Sequence, residues 1–240
     1  RSVFVYRQFT TKLRSMFFLM IGASILITVA LLSINWGVYF TTMVEKRVDA
    51  VAFDIALFSN EENTDFSKYL SYLKENNLLD SSYEYTLYTN KDNSFYQETL
   101  RAVQGKFGFS ISSETTDTFM CISDYNNLRD MLGLSSVVLD RNTYIIHCTV
   151  PNIAPFEKYT EEHTQLLIGD TICHFGGIYS EDFMQQESYG NGNGFLIIVP
   201  DKVGKALYKQ QNVFVVKTLS ALSLTQIEDL KAINKSVQIL

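Results

Sequence analysis

The chain has 240 residues, a net charge of −6 and three cysteines. Its first fifteen residues carry four basic and no acidic side chains, which leaves a net charge of −10 on the rest. Such an acidic surface disfavours nucleic acid as a partner, and an odd cysteine count gives no sign of a disulfide-stapled domain. One disulfide stays open as an expectation, with Cys148 and Cys173 as the first pair to consider.

An uncharged apolar stretch, Met16–Phe40, dominates the N-terminal part of the chain. It has no Asp, Glu, Lys, Arg, His or Pro in 25 residues, and a helix of that length reaches about 37 Å, enough to cross a bilayer core of roughly 30 Å. A cleaved signal peptide has a shorter apolar core and a small-residue cleavage site, and this stretch has neither. More basic residues precede the stretch than follow it. We therefore expect a cytoplasmic basic segment (1–15), a transmembrane helix (16–40) and an extracellular domain (41–240) at the cell membrane.

The basic segment before the apolar stretch allows two interpretations. Apolar residues recur in it at helical spacing, as in a short amphipathic helix lying on the anionic inner leaflet: Val5, Phe9, Leu13 and Met16. A solvated basic stop before the membrane fits the same residues. Within the apolar stretch, Asn35 is the strongly polar side chain. Because it lies near the outer end, we interpret it as interfacial and not as a transport site.

Strand and helix patterns alternate through the extracellular region. Period-two or short apolar runs predict strands at Ala50–Phe58, Tyr83–Tyr88, Thr118–Ile122, Thr143–Val150, Gln165–Ile168, Thr171–Ile178, Phe195–Val199 and Val213–Lys217. Period-3.6 patterns predict helices at Thr64–Leu79, Phe95–Val103, the segment after Ser123, the segment from Asp201 to Gln210, and a last helix with Ile227, Leu230, Ile233 and Val237 on one face. The chain ends in that helical pattern, which we interpret as a fragment of a longer protein.

Local signals mark the ends of these elements. The expected N-terminal caps are Thr64, Ser123 or Asp124, Asp201, and a capping box of Ser223 with Gln226. Glycines and prolines predict a helix stop at Gly133, a two-residue hairpin at Gly169-Asp170, a turn at Asn90–Asn93, a loop over Pro151–Glu162 and a flexible connection at Gly190–Gly194. Because most connections between strands are too short for crossovers, the fold class is α+β, with a mixed, mainly antiparallel sheet in one domain or two subdomains.

No catalytic, cofactor-binding or metal-binding residues are expected. The dipeptides His147-Cys148 and Cys173-His174 suggest zinc ligands, but neighbouring side chains of a strand point to opposite faces, so ordinary strand residues are the favoured interpretation. The glycines of Gly190–Gly194 lack the Lys and Ser/Thr of a phosphate-binding loop and precede a strand. Without a G-x-S-x-G or H-E-x-x-H motif, the chain is predicted not to be an enzyme.

Four segments together resemble FtsX-like ABC transporter permeases of the Gram-positive, bacitracin-resistance type. They are RQFTTKLRSMFFLM (Arg7–Met20), FMCISDYNNLRDMLGL (Phe119–Leu134), LDRNTYIIHC (Leu139–Cys148) and GNGFLIIVPD (Gly192–Asp201). The resemblance implies one membrane helix and the large extracellular domain of a permease subunit. Its implied partners are a separate cytoplasmic ATP-binding subunit, other transmembrane helices of the same permease, and an extracellular ligand such as a peptide antibiotic or a lipid. The family has at least four membrane helices and a cytoplasmic loop that docks on the ATPase, which this chain lacks.

Two other classes of protein remain open. The domain could belong to an extracytoplasmic sensor of a membrane receptor such as a histidine kinase, or to an anchored surface protein with a structural role. All three interpretations share the apolar stretch and the external domain. The chain from Val38 to Ala50 contains no Pro or Gly, so the membrane helix is expected to continue rigidly towards the first strand, which suits transmission of a conformational change.

Overall fold

The computed structural model describes residues 2–49, 52–61, 64–90, 95, 117–148, 150–181, 183, 195–234 and 238–239. The chain divides into two compact units, Arg1–Ala50 and Val51–Leu240. Three sequence predictions fall wholly or largely outside the described residues: the helix Phe95–Val103 beyond its first residue, most of the turn Asn90–Asn93, and the connection Gly190–Gly194.

The first unit is a single helix, α1 (Ser2–Asp49). Its stretch Leu19–Thr41 has a mean hydropathy of 2.0 and is long and apolar enough to cross a membrane. Polar side chains in this stretch donate hydrogen bonds to the carbonyl four residues earlier, as the amide of Asn35 does to Leu31 at 3.0 Å and the hydroxyl of Ser33 does to Val29 at 2.8 Å. Such bonds satisfy polar groups where no water is available. The side chains of residues 2–11, on which the amphipathic interpretation rests, lie outside the described part.

The described part of the second unit combines one sheet with five helices. Its strands are β1 (Ile55–Ser59), β2 (Leu79–Thr89), β3 (Thr118–Cys121), β4 (Thr143–Cys148), β5 (Gln165–Ile168), β6 (Thr171–Tyr179), β7 (Phe195–Val199), β8 (Tyr208–Thr218) and β9 (Gln238–Ile239). Its helices are α2 (Ser67–Glu75), α3 (Ile122–Met131), α4 (Val150–Glu162), α5 (Asp201–Gly204) and α6 (Leu224–Ile233).

The sheet has two parts with different strand pairing. Its order is β5-β6-β4-β7-β3-β2-β8-β1-β9. Strands β2, β8, β1 and β9 pair antiparallel throughout and form what we call the antiparallel half. Strands β5, β6, β4, β7 and β3 form the mixed half, in which β4 with β6 and β3 with β7 are parallel. The α+β class and the mainly antiparallel sheet are thus confirmed.

Apolar side chains cover both faces of the sheet. On one face of the mixed half, α4 and α5 pack over strand residues such as Ile146 and Ile197. On one face of the antiparallel half, α2 and α6 pack over residues such as Leu57 and Val216. A third cluster joins α3 to side chains of both halves, among them Ile198. The buried apolar residues thus form three clusters, one of which spans both halves of the sheet.

The first predicted strand and helix differ from the structure. Strand β1 begins at Ile55 and is buried on both faces, not half-buried from Ala50 onward, because α2 covers the second face. Helix α2 runs only over Ser67–Glu75. It ends early because Asn77 adopts a φ of +53°, which lets the N–H of Leu78 turn back to the carbonyl of Leu73 at 2.9 Å.

The predicted caps of three helices were wrong, because the cap positions of α2, α3 and α5 are Phe66, Cys121 and Pro200, without a side-chain cap hydrogen bond. Thr64 and Asp201 therefore do not cap α2 and α5. Helix α3 begins at Ile122, and neither Ser123 nor Asp124 caps it. Instead the N–H of Ser123 donates to Oδ1 of Asp201 at 3.0 Å. Asp201, the first residue of α5, thus supplies the acceptor that a capping side chain of α3 would otherwise provide. Helix α5 stops at Gly204 and not at Gln210, because β8 already begins at Tyr208.

The segment predicted as a loop, Pro151–Glu162, lies in helix α4. Proline is tolerated in a first helical turn, where the missing N–H has no partner to lose. Phe156, Tyr159 and Thr160 are buried at helical spacing, and their contact with the sheet outweighs the second proline, Pro155, inside the helix.

The expected Cys148–Cys173 disulfide is absent, and all three cysteines are buried and free. Because β4 and β6 run parallel with Thr143 opposite His174, the two cysteines lie towards opposite ends of their strands. The last helix also ends earlier than expected, at Ile233. Gln238–Ile239 is a strand, and Val237 lies outside the described residues.

Three local predictions are confirmed. Gly169 has a φ of +57° in the two-residue turn that joins β5 to β6. Gly133, with a φ of +71°, follows the last turn of α3. Both hydrogen bonds of the capping box form between Ser223 and Gln226 at the start of α6. Each signal depends on residues within four positions of one another.

Candidate functional site

A buried polar network lies between α3 and the mixed half of the sheet. Helix α3 places Tyr125 and Arg129 one turn apart on its buried side. After the helix, Gly133 turns the chain, and the N–H of Leu134 returns to the carbonyl of Arg129 at 2.8 Å. The side chain of Asn126 then binds the backbone N–H and carbonyl of Val137 at 2.8 and 2.9 Å. These bonds fix the loop that closes one side of the network.

Arg129 is the centre of the network and is only 2 % exposed. Its Nε donates to the carbonyl of Ser135 at 2.7 Å, Nη1 donates to the Tyr125 hydroxyl at 3.0 Å, and Nη2 donates to Oε1 of Glu181 at 2.9 Å. Its Cζ lies 5.3 Å from the ring centroid of Tyr125 and 5.5 Å from that of Tyr179. A charge buried this deeply is tolerated because it is paired with a carboxylate and hydrogen-bonded on each nitrogen.

His147, from strand β4, extends the network and is 1 % exposed. Its Nδ1 lies 2.7 Å from the Tyr125 hydroxyl, and its Nε2 lies 3.0 Å from the backbone carbonyl of Glu181. A carbonyl only accepts, so Nε2 carries the proton and Nδ1 accepts from Tyr125. The Tyr125 oxygen is then free to accept from Arg129. The geometry thus selects one neutral tautomer of His147.

The electrostatics of the network favour the same protonation states. Burial disfavours the charged imidazolium and lowers the pKa of His147 to about 4. The hydrogen bond from Arg129 lowers the pKa of Glu181. Burial raises the pKa of the Tyr125 hydroxyl, which therefore stays protonated. At neutral pH the site contains one ion pair, a neutral histidine and a neutral tyrosine.

The network holds the chain that follows β6. Glu181 contributes both its side chain, to Arg129, and its backbone carbonyl, to His147. Two residues later, Phe183 is fully buried, with ring centroids 5.0 Å from Tyr125 and 4.8 Å from His147. Oε2 of Glu181 has no hydrogen-bond partner within the described part of the chain. Four contacts, two from Glu181 and two from Phe183, therefore hold this short segment against α3 and β4.

A second polar group lies at the start of α3. The Tyr83 hydroxyl donates to Oδ1 of Asp124 at 2.8 Å and accepts from the amide of Asn127 at 2.8 Å. Burial, followed by these contacts with Asp124, raises the pKa of Tyr83 to about 12. Burial raises the pKa of Asp124. For Asp201 burial acts in the same direction, but the hydrogen bonds from Ser123 outweigh it and lower the pKa. These side chains form hydrogen bonds between neighbouring elements, so we assign them a structural role.

The cysteines of the sheet are poor nucleophiles. Burial raises the pKa of Cys121 and of Cys148 to about 12 and also raises that of Cys173. Since the thiolate is the reactive form, these thiols are unreactive at neutral pH. The two histidines considered as zinc ligands have different surroundings. His147 belongs to the buried network, whereas His174 is exposed on β6. Within the described ranges no three His, Cys, Asp or Glu side chains form a metal-binding group.

No short sequence motif contains the residues of this network. Its members come from α3, from β4 and from the segment after β6, and up to 56 positions separate them, from Tyr125 to Glu181. One usable signal is that Arg129 follows Tyr125 by four positions, on the apolar side of a helix with Leu128 and Leu132. A charged residue on that side requires a buried partner.

Comparisons with known proteins leave the family open. No protein-family model matches the chain, and the curated proteins contain no match. Among solved structures, one match is the crystal structure of a candidate lipoprotein from Bacillus anthracis. It is 8 % identical, covers 78 % of this chain and 95 % of the other, and has a TM-score of 0.42. A likeness at that level assigns neither a family nor a function.

Proposed function

We propose that the chain is part of an FtsX-like ABC permease subunit, in which the domain after α1 couples an extracellular ligand or partner to a separate cytoplasmic ATPase. The observation that carries the proposal is the continuity of α1. The helix runs without a break from Ser2 to Asp49, through the whole apolar stretch. Strand β1 then starts at Ile55, so few residues separate the helix from the sheet.

A short connection suits mechanical coupling. A continuous helix transmits displacement and rotation along its axis, whereas a long Gly- or Ser-rich linker absorbs them. The first strand after α1 is not an edge strand, because β1 pairs with β8 on one side and with β9 on the other. A movement of β1 would therefore be shared by the antiparallel half.

In this proposal α1 crosses the cell membrane with its basic N-terminus in the cytoplasm and the sheet domain outside. The protein itself catalyses no reaction, and the other membrane helices of the permease complete the channel. A peptide antibiotic or a lipid is the kind of extracellular ligand that the resemblance suggests. A sensor domain of a membrane receptor such as a histidine kinase would use the same continuous helix, so the partner on the cytoplasmic side decides between the two.

Co-purification of the full-length product separates these proposals. We expect an ATP-binding subunit to purify with it, and ATP hydrolysis by the complex to respond to bacitracin as the probe peptide. A sensor would instead carry a kinase domain and purify without an ATPase. Purification of the intact product with neither would contradict both proposals.

Insertion of two glycines after Arg47 tests the coupling itself. Each glycine in a helix costs about 1 kcal/mol relative to alanine, and the pair would introduce a flexible joint. We expect the bacitracin response of ATP hydrolysis to be lost while basal hydrolysis remains. The matched control is the same insertion after Asp140, an exposed residue in the loop before β4. An unchanged response in the Arg47 variant would contradict mechanical coupling through α1.

A further inference from the structure

Strand β5 forms one edge of the sheet in the described part of the chain. It pairs with β6 on one side, and no described strand follows it on the other. Natural edge strands often prevent pairing with another chain by a Lys, a Pro or a β-bulge. Strand β5, Gln165–Ile168, contains no charged residue and no proline, and its register with β6 is regular. It therefore lacks these protections against a further strand.

The hydrogen-bond pattern shows which backbone groups of β5 point away from β6. In an antiparallel pair, hydrogen-bonded and non-hydrogen-bonded positions alternate. The carbonyl of Thr164 accepts from the N–H of Phe175 at 2.9 Å, so positions 164, 166 and 168 bond to β6. The N–H of His174, which lies opposite Gln165, donates to Asn142 at 2.7 Å and not to β5. The backbone groups of positions 165 and 167 therefore point outward from the sheet.

An exposed apolar pair lies beside these outward groups. Leu167 and Ile172 are opposite each other in the hairpin and are 60 % and 55 % exposed. Because they form a non-hydrogen-bonded pair, where the two strands are closest, their side chains make one apolar patch. The outward carbonyl of Leu167 accepts from the side-chain amide of Asn90 at 3.5 Å, which is a long and weak bond. An added strand would replace this bond and place an apolar side chain on the patch.

The chain on both sides of β5 is acidic. Glu161 and Glu162 precede the strand and Asp170 follows it in the turn, and all three are exposed. No Lys or Arg occurs between Lys158 and Lys202, a stretch that contains seven Asp or Glu residues. Two copies of the chain paired through β5 would bring acidic ends together, so charge repulsion disfavours a second copy as the occupant. A basic segment has the complementary charge.

We propose that β5 is a docking strand for a partner protein, which adds an extended segment with an apolar centre and Lys or Arg on both sides. The outward backbone groups of Gln165 and Leu167 pair with this segment, its apolar side chain lies on Leu167 and Ile172, and its basic residues lie near Glu162 and Asp170. Two outward positions supply only about four backbone hydrogen bonds. Charge attraction must therefore contribute to the affinity. The proposal requires neither the ATPase nor the membrane.

Fluorescence anisotropy with a labelled peptide tests the docking. The probe is the peptide RTVTVTR, titrated at low ionic strength with the full chain in dodecyl maltoside micelles. One control peptide, ETVTVTE, reverses the charge. The other is the probe with N-methylated internal amides, which keeps the charge but cannot pair as a strand. We expect the probe to bind, and each control to bind about tenfold more weakly or worse, because each lacks one of the two required interactions. Equal binding of the probe and the N-methylated peptide would overturn the proposal, as would failure of the probe to bind.

Two variants of the chain locate the binding. Leu167→Pro removes an outward N–H but no bond to β6, and proline is tolerated at such edge positions. We expect it to weaken binding of the probe about tenfold, with the near-ultraviolet circular dichroism unchanged. The double variant Glu162→Gln, Asp170→Asn leaves the backbone intact and should also weaken binding, whereas Glu228→Gln, at an exposed carboxylate on α6, should not.

Binding that is unaffected by the double variant would overturn the proposal even if Leu167→Pro failed to fold. Sedimentation of the chain without peptide tests the other occupant. A dimer that Leu167→Pro abolishes would overturn the proposal in favour of a second copy. Because these measurements omit the ATPase, their failure leaves the proposed permease function standing.

Discussion

The two halves of the sheet differ in what they bury. The antiparallel half is built around the two eleven-residue strands β2 and β8 and has an apolar interior. Among the described residues its one buried polar residue, tyrosines aside, is Ser59. The mixed half buries a full guanidinium, Arg129, and an imidazole, His147, in one hydrogen-bonded network. Apolar burial holds over a wide range of conditions, whereas a buried polar network depends on every partner and on pH.

This difference supports a division of labour within the proposed function. The first strand after α1 is β1, which belongs to the antiparallel half, where apolar packing favours rigid movement. The mixed half contains the segment of Glu181 and Phe183, which a few polar and aromatic contacts fasten to α3. A ligand or a change in pH that alters those contacts would act on the mixed half first. Each prediction below tests whether the two halves respond differently.

The largest effect is expected at the centre of the network. Arg129→Met keeps most of the side-chain length but removes the charge and all three donated hydrogen bonds. The arginine is buried, but the side chain of its partner Glu181 is 37 % exposed, so the expected cost comes mainly from the lost charge-assisted hydrogen bonds and is about 3 kcal/mol in the free energy of unfolding. Thermal unfolding of the full chain in lipid nanodiscs, followed by near-ultraviolet circular dichroism, measures the loss.

A second ion pair, between Lys205 and Asp201, provides the control for Arg129→Met. Lys205 and Asp201 lie 3.5 Å apart, and the lysine side chain is 64 % exposed. Lys205→Met should therefore change the free energy of unfolding by less than about 1 kcal/mol. Equal losses in both variants would mean that the ion pair of the buried Arg129 contributes no more to the free energy of unfolding than an exposed pair does.

The next effect is a pH dependence that originates at His147. Its pKa lies at about 4 in the folded chain, below the value of 6.5 for a free histidine. Between these values the unfolded chain binds a proton that the folded chain does not, so stability is complete above pH 6.5 and falls as the pH decreases towards 4. From pH 7 to pH 5 the free energy of unfolding should fall by about 2 kcal/mol.

Substitution by glutamine identifies the source of that slope. In His147→Gln the side-chain oxygen can accept from Tyr125 and the amide can donate to the carbonyl of Glu181, and neither group titrates. We expect this variant to lose the slope between pH 7 and pH 5, while His174→Gln, at an exposed histidine, keeps it. A slope that survives in His147→Gln would assign the acid sensitivity to another group.

Features that depend on residues close together in the sequence were predictable, whereas features that depend on residues far apart in the sequence were not. The buried strand FLIIV (Phe195–Val199) and the turn Gly169-Asp170 were predictable because each depends on adjacent residues. Helix α4 was missed because its prolines indicate a loop, and only contact with the sheet overrides them. The Arg129 network was missed because tertiary folding alone brings Glu181 to α3. Local signals therefore predicted most strands but none of the candidate site.

The smallest effect is expected at the capping box of α6, in the antiparallel half. Ser223→Ala removes the oxygen that accepts from the N–H of Gln226 at 3.3 Å, and the loss of an N-cap costs about 1 kcal/mol. Ser223→Asp should restore most of it, since aspartate also caps. Ser220→Ala, at an exposed loop serine, should stay within about 0.5 kcal/mol of the unsubstituted chain. Because no buried titratable group is involved, the loss should be equal at pH 7 and pH 5. A loss that grows in acid would couple α6 to the His147 network and remove the distinction between the two halves.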